Sequence, residues 1–309
     1  MAYSTSDALE TIVREANQHL ANFVPTWASW MNLHTDKAAA MRRWSNHGVA
    51  ALKTWNGTAT ISEATGAASS SREQTVTPDG FASKVTVSDF DSRFQAGSVE
   101  RAARGLLEGF ERRLEATAYS MLETAFTADQ VDSGGSTDYV ISATSCYVDA
   151  DGTGTYETAQ SNLLSAALSS ATLSTSRQML LEAKLPNGDP AGKGRGPLVL
   201  IVAPQNAAIA RKLVESPEQL SADATGNLNP NYGANISVIV SSHLTVDPDD
   251  WFLVEAGGGV GSPCNMWIAD TPKIWQNTTS AGAIELCASA WLNAWIDTPP
   301  TGIIGSNVS

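Results

Sequence analysis

Residues 99–127 read VERAARGLLEGFERRLEATAYSMLETAFT. Val99, Ala103, Leu106, Phe110, Leu114, Ala118, Met121 and Ala125 recur there at a mean spacing of about 3.7 residues, which suits a straight amphipathic helix better than the 3.5 of a left-handed coiled coil. Glu108 and Arg112 stand at i,i+4 spacing on the other face. At 1.5 Å per residue, a helix from Val99 to about Thr127 is on the order of 40 Å long. A compact domain has little need of such a helix, so its flanks decide the fold.

Upstream, a helix is predicted from Asp7, with Glu10 three residues on and Leu9, Ile12, Val13, Ala16 and Leu20 on one face; it ends before Pro25. Residues 27–55 hold four of the nine tryptophans without a clean period, so this stretch needs a surface to lie against. From Thr54 to Phe94 the composition shifts to Thr, Ser, Ala and Gly. Strand-like runs at Thr58–Ser62 and Phe81–Val87 flank the small-residue tract Ala64–Ser71 and the turn Pro78-Asp79-Gly80. The prediction is a long, poorly buried β-hairpin, marginal on its own in water.

Downstream the chain alternates. A strand-like run, Tyr139–Val148, precedes helical patterns at Asn162–Leu168 and Ser176–Ala183, a buried strand at Leu198–Val202 and a helix at Ala207–Glu215. Strands follow at Ile236–Val240 and Trp251–Val254, then at Met266–Ala269 and Gly282–Leu286 among Trp267, Trp275, Trp291 and Trp295. Such alternation predicts an α/β unit with helices covering a sheet.

The chain has 309 residues, of which 17% are charged and 42% hydrophobic, with a net charge of −13. The charged share lies below the soluble average of about 25%, which excludes a solvated, disordered tail. The acidic balance repels phosphate backbones and argues against sequence-specific nucleic-acid binding. Cys146, Cys264 and Cys287 are too few and too far apart for a disulfide framework or a C-x-x-C site. Met1–Leu9 has no signal-peptide pattern, and the longest strongly apolar run, Leu198–Ala203, is far short of a membrane span. The expectation is a soluble product of a reducing compartment, with no membrane partner.

Motifs for chemistry fail one after another. His19, His34, His47 and His243 are scattered and form no ligand pattern. Asp149-Ala150-Asp151-Gly152-Thr153-Gly154 lacks the later acidic ligands of a calcium loop and reads as a turn. Gly192-Lys193-Gly194-Arg195-Gly196 precedes a strand instead of following one, so it reads as a mobile loop and not a phosphate cradle. Gly257–Gly261 leads to Pro263 and another strand, not to a helix. There is no G-x-S-x-G elbow, and Asp249-Asp250 lie in a Pro-flanked turn. No catalytic, cofactor-binding or metal-binding residue is assigned.

The order of elements resembles the major capsid proteins of tailed phages, the α+β Hong Kong 97 fold. Its phrases are Pro197-Leu-Val-Leu-Ile-Val-Ala-Pro204, the helix Ala207–Glu215, Leu228-Asn-Pro-Asn231, Ile236–Leu244 with its Ser-x-x-Leu ending, and Asp250-Trp-Phe-Leu-Val254. This succession is similar to the Mu-like major head subunit family. The resemblance implies an N-terminal arm over 1–53 and an extended loop over 54–97 that reaches a neighbouring subunit. It further implies a peripheral domain with a spine helix over 98–157, an axial α/β domain over 158–275 and a return to the peripheral domain over 276–309. An N-terminal scaffolding domain is expected to be absent. With Lys84 the only lysine of the hairpin and no matching asparagine motif, no cross-link is expected.

The implied function is a major capsid protein that self-assembles as hexamers and pentamers into an icosahedral or elongated shell enclosing double-stranded DNA. Its expected partners are further copies of itself, a portal, and scaffolding or decoration proteins, with assembly in the host cytoplasm and residence in the virion capsid. The competing readings are an encapsulin-like compartment of the same fold and, further off, an α/β hydrolase-like or carbohydrate-acting enzyme built on Asp249 and Asp250.

Overall fold

The computed structural model describes residues 5–44, 73–95, 97–127, 139–143, 160–184, 190–217, 229–256, 262–279, 282–297 and 301–308. In chain order these give helix α1 (Thr5–Asn22), strands β1 (Asn32–His34), β2 (Met41–Trp44), β3 (Glu73–Val76) and β4 (Asp79–Val87), and helices α2 (Asp89–Phe94) and α3 (Ser98–Thr124). There follow β5 (Leu163–Leu164), α4 (Ser170–Glu182), β6 (Leu198–Val202), α5 (Ala207–Glu215), β7 (Ile236–Val240), β8 (Trp251–Glu255), β9 (Cys264–Thr278), β10 (Ile284–Ile296) and β11 (Ile303–Ser306).

The long predicted helix is α3, 27 residues, entered through Gly97 at φ +75°. Its apolar stripe feeds two cores in succession. Val99, Ala103, Leu106, Phe110 and Leu114 pack with Leu286, Ala288, Ala290 and Leu292 of β10. Further along, Ala118, Tyr119, Met121 and Leu122 join Val199 and Ile201 of β6, Phe252 and Val254 of β8, and Ile303 of β11. Each of the larger aliphatic and phenylalanine side chains here, fully buried, contributes roughly 1.5–3 kcal/mol. The helix is long because it spans both sheets.

The first sheet has the order β1-β9-β10-β4 and the second β5-β11-β8-β6-β7, while β2 and β3 form a separate antiparallel ribbon. In the second sheet β6 and β7 run parallel and are connected through α5, as alternation predicts. All five residues of β6 and of β8 are buried, with helices α4 and α5 contributing Leu173, Leu180, Ala210 and Leu213 to the core on their side.

Several expectations change. The strand Phe81–Val87 exists, within β4, but its partner is β10, in register Ile284↔Val87 to Leu292↔Asp79. The run Thr58–Ser62 lies outside the described residues. The paired ribbon upstream is instead Met41–Trp44 with Glu73–Val76. Of Tyr139–Val148, residues 139–143 are described and form no named strand. Asn162–Leu168 is not helical: Leu163–Leu164 is a strand beside β11, because Asn162 spends its amide on Val140 O (2.9 Å) and Ser142 N–H (2.8 Å). The next helix begins at Ser170, earlier than the predicted Ser176, because Ser169 and Thr172 form a reciprocal capping box.

The two C-terminal strand runs prove to be parts of a long antiparallel hairpin, β9 with β10, paired from Ile284↔Thr278 to Ile296↔Cys264 with register shifts between Ser289 and Leu292. Thr271-Pro272 sits at that irregularity, where a residue without an N–H is tolerated. The final strand, β11, joins the second sheet between β5 and β8, not the sheet of β9 and β10.

Candidate assembly surfaces

The phrases that carried the resemblance are clasps. Asn229 donates to Leu213 O (2.6 Å) and Ser216 O (2.9 Å), closing the carbonyl end of α5, and accepts from Asn231 N–H (3.0 Å). Asn231 in turn accepts from Ser174 Oγ and Arg177 (both 3.3 Å) and donates to Ser170 O (3.2 Å), so one Asn-Pro-Asn turn ties α5 to α4. Trp251 Nε1 donates to Ala166 O (3.0 Å). Leu244 is buried, and Ser241 Oγ accepts from His243 N–H (3.2 Å), which shapes the Ser-x-x-Leu ending.

Asp249 and Asp250, the enzyme reading's candidates, are spent on the backbone and on a neighbouring amide. Asp249 accepts from Gln205 (2.6 Å). Asp250, 4% exposed, accepts from Val308 N–H (3.2 Å). Burial pushes the Asp250 carboxyl up to about 6, with Asp247, Glu123 and Asp249 adding to the rise and the Val308 N–H opposing it. Glu123, at the end of α3, accepts from the N–H groups of Thr245 and Val246. Glu123, Asp249 and Asp250 hold one loop to α3, to the turn before α5 and to the C-terminal segment, while Asp247 accepts from Asp249 N–H within the loop (3.0 Å).

The other sequence candidates are dispersed. His19 meets Glu111 at 2.8 Å, fastening α1 to α3. His34 stacks on Trp295 and contacts Asn265 at 3.0 Å, while His243 stacks on Tyr119. His47, Cys146, the run Asp149–Gly154 and Gly257–Gly261 lie outside the described residues. Cys264 and Cys287 are free thiols, and burial pushes the Cys264 thiol well above its usual range. Among the described residues no group of three His, Cys, Asp or Glu side chains could hold a metal ion, and no helix is long and apolar enough to cross a membrane.

The glycine loop 192–196 is built in, contrary to the expectation of a mobile segment. Gly192 and Gly194 take positive φ, Gly194 lies against Leu180, and Lys193 reaches the buried Glu255 at 3.7 Å.

Most tryptophans serve the interior: Trp27, Trp30, Trp251, Trp267 and Trp295 are buried. Trp275 and Trp291 are not, at 39% and 48% exposure. The exposed aromatic pair is Phe90 with Phe94, ring centroids 4.9 Å apart on α2. Helix α2 lies within Thr54–Phe94, the stretch that the sequence predicts as hairpin. Its signals were Ser88 as N-cap, acidic Asp89 and Asp91 in the first turn, and the i,i+4 phenylalanines.

The architecture is that of the Hong Kong 97 capsid fold: an N-terminal helix, a two-stranded ribbon, a spine helix across two sheets and an α/β unit. Among solved structures, the capsid of a native GTA particle is similar at TM-score 0.56 and 14% identity, over 92% of this chain and 91% of that one. The mature capsid protein of bacteriophage PhiM1 is similar at TM-score 0.56 and 10% identity (92% and 87%), and a virus-like particle from Pyrococcus furiosus at 0.51 and 9% (97% and 98%). No curated protein matches the sequence. The family model described as "Phage capsid protein" matches residues 71–301, and the chain belongs to that family. It is a major capsid protein, a structural subunit of a phage shell.

Proposed function

We propose that copies of this chain form hexamers and pentamers that close into the shell around a tailed phage's double-stranded DNA. The observation that carries the reading is the family match over residues 71–301. In this arrangement the sheet of β9 and β10 with α3 acts as the peripheral domain, and the sheet of β6 and β8 with α4 and α5 acts as the axial domain. The β2–β3 ribbon is the base of the loop that reaches a neighbour. The net charge of −13 suits an inner wall on which phosphates slide and are not trapped. Portal, scaffolding and decoration proteins would meet this shell, assembled in the host cytoplasm. Asp249 and Asp250 act as loop anchors with no catalytic part.

Sedimentation velocity and negative-stain microscopy of the purified full chain test the reading. Closed particles of megadalton mass are expected at physiological salt; a monodisperse monomer at high concentration overturns it. Particles from the host that hold protein cargo and no DNA would move the chain to the compartment reading.

A further inference from the structure

Two features have no use among the described residues of one subunit, and they fit each other. The first is the outer face of α2, where Phe90 and Phe94 stand one turn apart, 65% and 73% exposed, on a helix that buries none of its residues. Two adjoining bare rings mark a contact surface more than a solvated one. Asp89 is paired with Arg93 of the same short helix at 2.7 Å, which leaves Asp91 as its net negative charge.

The second is a groove of about 420 Å³ between β4 and the first half of α3, walled by Phe81, Leu106, Phe110 and Arg113 with Gly105 and Gly109. A Cβ at either glycine would meet nothing within 4 Å, and neither takes a positive φ. Glycine inside a helix is less favourable than alanine, and no packing among the described residues calls for it. The gap in the wall therefore makes room for something from outside. The groove's one charged lining side chain is Arg113, whose guanidinium lies 3.8 Å over the Phe81 ring. An aromatic knob with the net negative charge of Asp91 complements that arginine-edged apolar hole. Knob and hole lie at opposite ends of β4, so the contact joins different patches on the two copies. It is heterologous and propagates from copy to copy, as rings and closed shells require.

We propose that Phe90 and Phe94 of one copy seat in the Gly105–Gly109 groove of a second copy, with Asp91 turned toward Arg113. The proposal rests on the shell reading and names one of its subunit contacts.

Two variants of the full chain test it. With Phe94→Cys and Gly109→Cys together, oxidation after assembly is expected to give a ladder of covalently joined copies on a non-reducing gel, absent from either single variant. With Gly105→Leu and Gly109→Leu, the free subunit is expected to melt no lower than the unaltered chain while particle yield at matched concentration falls at least tenfold. That pairing separates a blocked contact from a misfolded chain. Particles that form normally from the leucine variant, with no ladder from the cysteine pair, overturn this contact and leave the shell reading standing. Failure of the unaltered chain to form particles overturns the shell reading itself.

Discussion

Asn17 and Ile274 are joined by two hydrogen bonds: Asn17 Nδ2 donates to Ile274 O at 3.0 Å, and Ile274 N–H donates to Asn17 Oδ1 at 2.9 Å. One side-chain amide on α1 thus does what a paired strand would do, at a point on β9 beyond the reach of β1, which pairs only with Asn265, Met266 and Trp267. Asn17→Ala removes both bonds and leaves a half-buried peptide group unpaired, at a cost of about 1–3 kcal/mol. Urea unfolding of the free subunit should show it, with faster exchange of the Ile274 amide; an unchanged midpoint would mean water replaces the amide without loss.

Asp250 gives a pH signature. Its folded-state pKa of about 6 lies above the ordinary 3.8. The folded protein therefore holds this proton more tightly, and the group's contribution is greatest below pH 4 and is lost as pH rises through about 6. Asp250→Asn keeps an oxygen for the Val308 N–H and abolishes the titration. Above pH 7 the variant should be more stable by about 1–3 kcal/mol, and near pH 4 the two chains should coincide. Melting curves across that range decide it; parallel curves for the two proteins would count against the assignment.

Asn229 holds three bonds in a buried turn. Asn229→Ala should cost about 2–3 kcal/mol, since two carbonyls at the end of α5 lose their donor. Asn229→Asp retains the acceptor for Asn231 N–H but no donor, so it should rescue little. Full rescue by aspartate in chemical denaturation would show that the cap on α5 matters less than the turn.

Gly305 lies in β11 where an added Cβ would stand 2.7 Å from Ile141 Cδ1 and 3.0 Å from Phe126 Cε1. Gly305→Ala should destabilise by about 1–3 kcal/mol through overpacking. Trimming the neighbour with Ile141→Val should recover part of that loss. A double-mutant cycle measures the coupling, and strict additivity would refute direct contact.

What could be read from the sequence divides by how local its cause is. The α3 helix was legible because its period is carried by its own residues, Val99 through Ala125. The run β6, α5, β7 was legible because Leu198–Val202 is uniformly apolar and followed by a short amphipathic helix. Leu163–Leu164 was misread because its strand character comes from β11, some 140 residues away, and from the Asn162 amide. The full extent of β9 and β10 was hidden by Thr271-Pro272 and by small polar residues such as Ser289 and Asn293, which only pairing makes strand-like. Asp249 and Asp250 could be found as a carboxylate pair, but their ties to Gln205 and Val308 depend on chain segments that only folding brings together.

The place of β11 also sets a clock. This strand fills an inner position of the second sheet, between β5 and β8, yet it follows β8 only after the whole β9–β10 hairpin has been made. At synthesis rates of roughly 5–20 residues per second, about 2–10 s separate the emergence of β8 from that of β11. During that interval β8 has β6 on one side and lacks its neighbour on the other, so the nascent subunit presents an unpaired strand edge. Crowding among growing chains is thus most hazardous in the interval between β8 and β11.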